Sequence, residues 1–211
     1  MNETKIRLSP KEAELIVNAD WILTKNEIIK KIKHLFGKLT DEQHEVLESP
    51  KLQLPPEVLA PAPKISRGEN YKGLPYLVLD HPRCFDKENV FAIRTIFWWG
   101  NHFSTTLQLS GRYKKLYEQP VLSAYQLLKK KNVFCCTSDD PWEHHFEKSN
   151  YAPVKECTEA VFKKNILEKK FIKLAKKIPV QNWDNAPVQL MNDFRFFTGI
   201  TVSASGQLPS R

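Results

Sequence analysis

The segment KISRGENYKGLPYLVLDHPRCFDKENVFAIRTIFWWGNHFSTTLQLSG, Lys64 to Gly111, decides the fold. Three stretches in it have strand length and strand composition: 76–80, 90–99 and 102–110. Gly100 and Asn101 stand between the last two, and both tolerate positive φ, so the pair reads as a two-residue hairpin turn. Such a turn sets Trp99 opposite His102, Phe97 opposite Ser104, Thr95 opposite Thr106 and Ile93 opposite Gln108. Because side chains alternate along a strand, the other face then carries Trp98, Ile96, Arg94, Phe103, Leu107 and Leu109.

Each of these faces has a consequence. An arginine among apolar neighbours needs a carboxylate or a bound anion, since an unpaired buried charge is very costly. Glu69 and Asp80, on the preceding loop and strand, are the candidate partners, and a structural ion pair is the ordinary outcome. The alternative is an anion-binding Arg94. The opposite face sets Phe91, Ile93, Phe97 and Trp99 beside His102, Ser104, Thr106, Gln108 and Ser110. A sheet with its polar strand at the solvent edge is the ordinary reading, and a ligand-pocket wall is the functional one. The pocket reading makes Arg67, Arg94, Phe97, Trp99, His102, Thr106 and Gln108 the candidate ligand-binding residues.

Working outward, Ser66 to Gly73 reads as a glycine-containing loop before the first strand. Gly68 and Gly73 have the spacing of a Walker A loop, but Leu74-Pro75 stand where Lys-Ser/Thr is required, so the match is accidental. Upstream, Ser9-Pro10-Lys11-Glu12 and Thr24-Lys25-Asn26-Glu27 are capping boxes. With Gly37 as a stop and Thr40 as a further cap, they predict helices over 10–20, 25–36 and 41–48. Five of the chain's fourteen prolines lie between Ser49 and Lys64, which reads as an extended connector. Downstream, helices are expected over 113–131 and 158–178, strands over 132–137 and 194–202, and a loop with a short helical turn at 139–146. The division is a helical segment 1–48, a connector 49–64, a main domain 65–202 and a disordered polar tail 203–211. The fold class is α+β, a mainly antiparallel sheet with helices packed on one face.

The strings SRGENYKGLPY and FAIRTIFWWGN resemble uncharacterised bacterial proteins of about this size. The resemblance covers residues 64–111, implies a family without an assigned activity, and transfers no site residue.

The chain has 211 residues and a hydrophobic fraction of 41%, enough for one sizeable core. It starts with charged residues, has no secretory h-region, and has no apolar run of the ~18–20 residues that a membrane span needs. A cytoplasmic protein is expected. Cys84, Cys135, Cys136 and Cys157 contain no C-x-x-C pair, so they read as reduced structural thiols, with the adjacent Cys135 and Cys136 on opposite faces of a strand. Net charge is +8. No nucleotide, hydrolase or zinc-protease signature is present.

Three functional readings follow. The first is a cytosolic, non-enzymatic binding or accessory protein, needing no cofactor, with a small-molecule or anion cleft on the 90–110 hairpin face. The second is a metal-dependent enzyme using Asp140, His144 and His102, a two-histidine, one-carboxylate set. The third is a nucleic-acid-binding protein using the lysines of the 158–178 helix, although a solvated helix face is the ordinary reading of those residues. An exposed edge at His102–Ser110 would offer a route to a homodimer.

Overall fold

The computed structural model describes residues 6–50 and 52–202, so the tail 203–211 lies outside the described residues. The strands are β1 (Lys64–Tyr71), β2 (Leu74–Phe85), β3 (Val90–Trp98), β4 (His102–Ser110), β5 (Phe134–Cys136), β6 (Tyr151–Pro153) and β7 (Phe171–Pro179). The helices are α1 (Pro10–Ile16), α2 (Ala19–Leu47), α3 (Pro56–Leu59), α4 (Gly111–Ser123), α5 (Tyr125–Lys130), α6 (Glu159–Glu168) and α7 (Ala186–Val202). All seven strands join one antiparallel sheet in the order β1-β2-β3-β4-β7-β5-β6. The fold is α+β, with the helices gathered on one face. No described helix is long and apolar enough to cross a membrane.

The central hairpin differs from the sequence expectation by one residue. Phe97 pairs with Phe103 and Trp98 with His102, so the turn is the three-residue loop Trp99-Gly100-Asn101. Gly100 takes φ +70° there, and the Asn101 amide donates to the Trp98 carbonyl at 3.1 Å. A one-residue slip moves every side chain of one strand to the opposite face relative to its neighbour. Leu77, Phe91, Ile93, Phe97, Phe103, Leu107 and Leu109 therefore share one face, which the helices cover. Arg94, His102, Ser104, Thr106 and Gln108 share the other. Phe97 and Trp99 consequently lie away from His102, Thr106 and Gln108, and the expected mixed face does not form. Nor is β4 an edge strand. It sits between β3 and β7, so the route to a homodimer through His102–Ser110 is closed.

Several elements differ for identifiable reasons. Ser66–Gly73 is not a loop. It is most of β1 and a two-residue turn in which Lys72 and Gly73 take φ +49° and +79°, the positive values a tight hairpin requires. The second and third expected helices are one 29-residue helix running through Gly37. Its buried stripe Ile29, Ile32, Phe36, Leu39, Gln43 and Leu47 packs on the sheet and holds the helix together through the glycine. The 113–131 helix divides at Ala124 into α4 and α5. No helical turn forms at 139–146. Residues 194–202 belong to α7, because Leu190, Phe194, Phe197 and Thr201 recur at helical spacing toward the core. The 158–178 helix ends at Glu168, and 171–179 is strand β7. Ile172, Leu174 and Ile178 alternate into the main core, while Phe171 and Ala175 face the other side with Cys136 and Tyr151. Cys135 and Cys136 do point to opposite faces of β5.

Candidate functional site

The face opposite the helices is polar and nevertheless covered. Register places Asp80, Arg94, Thr106 and Ala175 in one row across β2, β3, β4 and β7, and Ala92, Gln108 and Lys173 in the next. His102 lies beside Trp98 at one end of β4, and Ser110 beside Phe171 at the other. Asp80, Arg94, His102, Ser104, Thr106, Gln108 and Lys173 are all buried. The cover is the irregular segment 137–150 between β5 and β6, here called the strap.

Lys169 holds the start of the strap, through the Ser138 carbonyl and Asp139, and Lys173, Tyr71 and the strap's own Asn150 hold its middle. Lys173, 1% exposed, donates from Nζ to the carbonyls of Pro141 (2.8 Å) and Glu143. The Tyr71 hydroxyl donates to Glu143 Oε2 at 2.7 Å and accepts from the amides of His144 and His145 at 2.7 and 3.0 Å. Asn150 Nδ2 donates to the carbonyls of Glu143 and His145. Desolvation dominates the ionisation of these groups: it lowers Lys173 to about 8 and raises Tyr71 to about 12. Below pH 8 Lys173 is therefore a buried cation whose hydrogen-bond partners are backbone carbonyls and whose Nζ lies 5.4 Å from the Tyr151 ring centre.

Arg94 settles on Asp80. Its Nε donates to Asp80 Oδ1 at 2.6 Å and its Nη2 to Oδ2 at 3.4 Å. Glu69, the other candidate, pairs with Arg67 and Lys25 instead. The Arg94 guanidinium lies 5.7 Å from the Phe85 ring centre and 5.3 Å from that of Trp142, so the strap tryptophan covers it. Its Nη1 has no partner.

Orphaned polar atoms concentrate on this side. Five buried side-chain atoms among the described residues lack a partner: Arg94 Nη1, His102 Nε2, Gln108 Oε1, His144 Nδ1 and Thr105 Oγ1, and of these only Thr105 lies on the helix-covered face. An unmade buried hydrogen bond costs about 1–3 kcal/mol, so such a cluster needs an explanation.

Gln108 opens onto one. It lines a cleft of about 1150 Å³ between the β2–β3 turn, the strap and α6. Trp142, Val90, Val161 and Phe171 supply apolar walls, and Lys87, Lys164, Lys169 and Lys170 stand around it with Glu88, Asp139 and Glu168. Lys169 is paired with Asp139 at 2.8 Å. Behind the cleft the buried charges are Arg94, Lys173 and Asp80, and Asp140 and Glu143 of the strap lie close enough to act on Lys173. Gly111, at the rim, takes φ +55°, and a Cβ there would lie 2.3 Å from Asn89 Oδ1. A second hollow of about 540 Å³ shares Lys87, Val90 and Trp142 with the first and reaches Arg94 and Asp80. Trp142, 48% exposed, is the partition between them.

The expected site residues are thus dispersed. Gln108 lines the main cleft and Arg94 the adjoining hollow. His102 lines a separate pocket of about 280 Å³ with Phe146 and Lys177. Thr106 is buried under the strap, hydrogen-bonded to the Tyr151 phenol. Phe97 and Trp99 belong to the helix side, and Arg67 is on exposed β1 with Glu69. Among the described residues no three His, Cys, Asp or Glu side chains converge as metal ligands. Asp140 caps the Trp142 amide on an exposed turn. His144 is buried against Tyr71, and desolvation holds its pKa well below the usual value. The lysines of 158–178 form no single face: Lys173 is buried, Lys176 pairs with Asp193, and Lys177 lies over Phe134 and Phe146. Burial raises Cys135 to about 12, and it raises Cys136 and Cys157 as well, the opposite of an activated thiol.

Sequence reasoning placed Tyr71, Trp142 and Asn165 at no site, and it took Lys170 and Lys173 for members of a basic helix face rather than a cleft lysine and a buried strand lysine. The lysine alternating with apolar residues in FIKLAKKIP carried the signal for Lys173, once that stretch is read with period two. No family model, no curated protein and no solved structure matches the chain.

Proposed function

We propose that this is a binding protein for a small organic anion with a planar or apolar body, taken up in the cleft between the strap and α6. The observation that carries the reading is Gln108, 1% exposed, which lines a cleft of about 1150 Å³ and keeps a buried Oε1 without a partner just behind that wall. Rotation of the Gln108 amide toward the cleft would let a ligand N–H or O–H donor satisfy that acceptor. Trp142, Val90 and Phe171 would cover the apolar body. Lys87, Lys164 and Lys170, which have no ion-pair partner among the described residues, would meet the negative charge. No reaction is assigned to the site.

The test is native mass spectrometry and thermal unfolding against a panel of aromatic carboxylates and aryl phosphates. At a hundredfold excess over Kd, a ligand selective for the folded state adds about 2.7 kcal/mol. The expected result is a 1:1 adduct that raises Tm and is weakened at least about tenfold, or 1.4 kcal/mol, in the Lys164→Glu/Lys170→Glu variant. A panel in which no member forms an adduct or shifts Tm at millimolar concentration would sink the proposal.

A further inference from the structure

The N-terminal arm is an uncovered apolar surface. Every residue from 6 to 24 is exposed. Among them Leu8, Leu15, Ile16, Val17, Ile22 and Leu23 are between 43 and 81% exposed. Isolated apolar side chains on a surface are ordinary, but a contiguous run of this kind marks an interaction site.

The arm is nonetheless built to be helical. Ser9 and Glu12 form a complete capping box on α1, and Asn18 Oδ1 accepts from the Trp21 amide at the start of α2. Yet α1 buries no residue. A seven-residue helix has little stability of its own in water. Helix α2 continues the logic: Ile22 precedes the buried Ile29 by two turns, so the core-facing stripe runs on past the body of the protein. Residues 19–24 of α2 lie beyond Lys25, which pairs with Glu69 of β1, and Ile28, which packs on the core, so about 9 Å of helix extends from that contact. Trp21 anchors its root, edge-on against Trp99 at 6.4 Å between ring centres.

We infer that this arm pairs with the same arm of a second copy of the chain. Charge selects that occupant. The chain carries +8 overall, but residues 6–24 hold Arg7 and Lys11 against Glu12, Glu14 and Asp20. The arm therefore adds no cationic repulsion of its own where two strongly basic molecules meet, and a two-fold axis can set cations of one arm against carboxylates of the other. An anionic lipid surface would select an excess of lysine and arginine around the same apolar residues, and the arm lacks that excess.

Sedimentation velocity of the full chain from about 1 to 200 µM tests this, alongside the Ile16→Asp/Ile22→Asp variant and the milder Ile16→Ser/Leu23→Ser variant. The expected result is a concentration-dependent dimer for the parent, and monomer throughout for both variants with Tm unchanged when measured at the lowest concentration. A parent that stays monomeric to the highest concentration overturns the inference, as does a dimer that survives in either folded variant. A monomeric parent that floats with phosphatidylcholine–phosphatidylserine vesicles also overturns it, and assigns the arm to lipid.

Discussion

The two faces of the sheet are made by the same strands and solve opposite problems. The helix side buries Leu77, Phe91, Ile93, Phe97, Phe103, Leu107 and Leu109 against α2, α4 and α7, in the ordinary way of an α+β domain. The strap side buries Asp80, Arg94, His102, Thr106, Gln108 and Lys173 under a segment without regular structure. Burying charge and orphaned amide groups is a poor route to stability. The first face explains why the chain folds. The second is where the fold departs from what stability alone would select, and such departures gather at functional sites.

Cutting into the helix side should have the largest effect. Phe103→Ala removes a fully buried ring that packs against Phe97 and Trp183. A loss of about 3–5 kcal/mol is expected in urea unfolding. A loss below about 1 kcal/mol would mean that this side is not the close-packed core described.

Breaking the ion pair on the strap side should cost nearly as much, but reversibly. Arg94→Met leaves Asp80 buried and uncompensated, with an expected loss of about 3–5 kcal/mol. Arg94→Met combined with Asp80→Leu should recover most of it. A double variant as unstable as the single would show that the pair is needed for more than mutual neutralisation.

Acid should unfold both sides, through His81 on the helix side and through His102 and His144 on the strap side. Desolvation lowers His81, beside Gln43 of α2, and His102, under the strap, to about 4. A folded-state pKa below the unfolded value means that the unfolded chain binds more protons between pH 6.5 and 4. This contribution to stability is complete above pH 6.5, falls as pH drops through the window, and levels off near 4. Its size is at most about 3 kcal/mol per histidine. His102→Phe should flatten part of the slope, and an unchanged profile would show that the imidazole is not held neutral.

Lys173→Met should change global stability by about 1 kcal/mol or less, because the lost hydrogen bonds are offset by removal of a desolvated charge. The effect should be local. Hydrogen exchange should speed up at 139–147 and stay unchanged in α2 and α7. Uniform protection would mean that Lys173 does not hold the strap.

Much of this contrast was legible in the residues, and one turn obscured it. The boundaries of β4, the start of β3, the Ser9 capping box and the need of Arg94 for a carboxylate all follow from local chemistry, and the structure has each of them. The register does not. Gly100-Asn101 suits a two-residue turn, and Trp99-Gly100-Asn101 suits a three-residue one. The choice rests on whether Phe103 joins Phe97 in the core, a long-range packing matter. The wrong turn put Gln108 on one face with Ile93 and Phe97 and hid the separation into a dry and a polar face. The 158–178 stretch failed for a related reason: Phe171, Leu174 and Ile178 satisfy helical spacing, while Ile172, Leu174 and Ile178 satisfy strand alternation, and only pairing with β4 decides between them. The cleft draws on the β2–β3 turn, the strap, α6 and β7, segments far apart in the chain, so no local pattern announces it.

Gln108→Leu tests most directly whether the strap side is kept for binding rather than for stability. Leucine fills similar space and removes the orphaned acceptor. Titration of the parent and the variant with the best-binding anion of the panel, together with their unfolding curves, should show a variant at least as stable as the parent that has lost the ligand. A variant that binds as tightly as the parent, or that unfolds several degrees lower, would contradict the account.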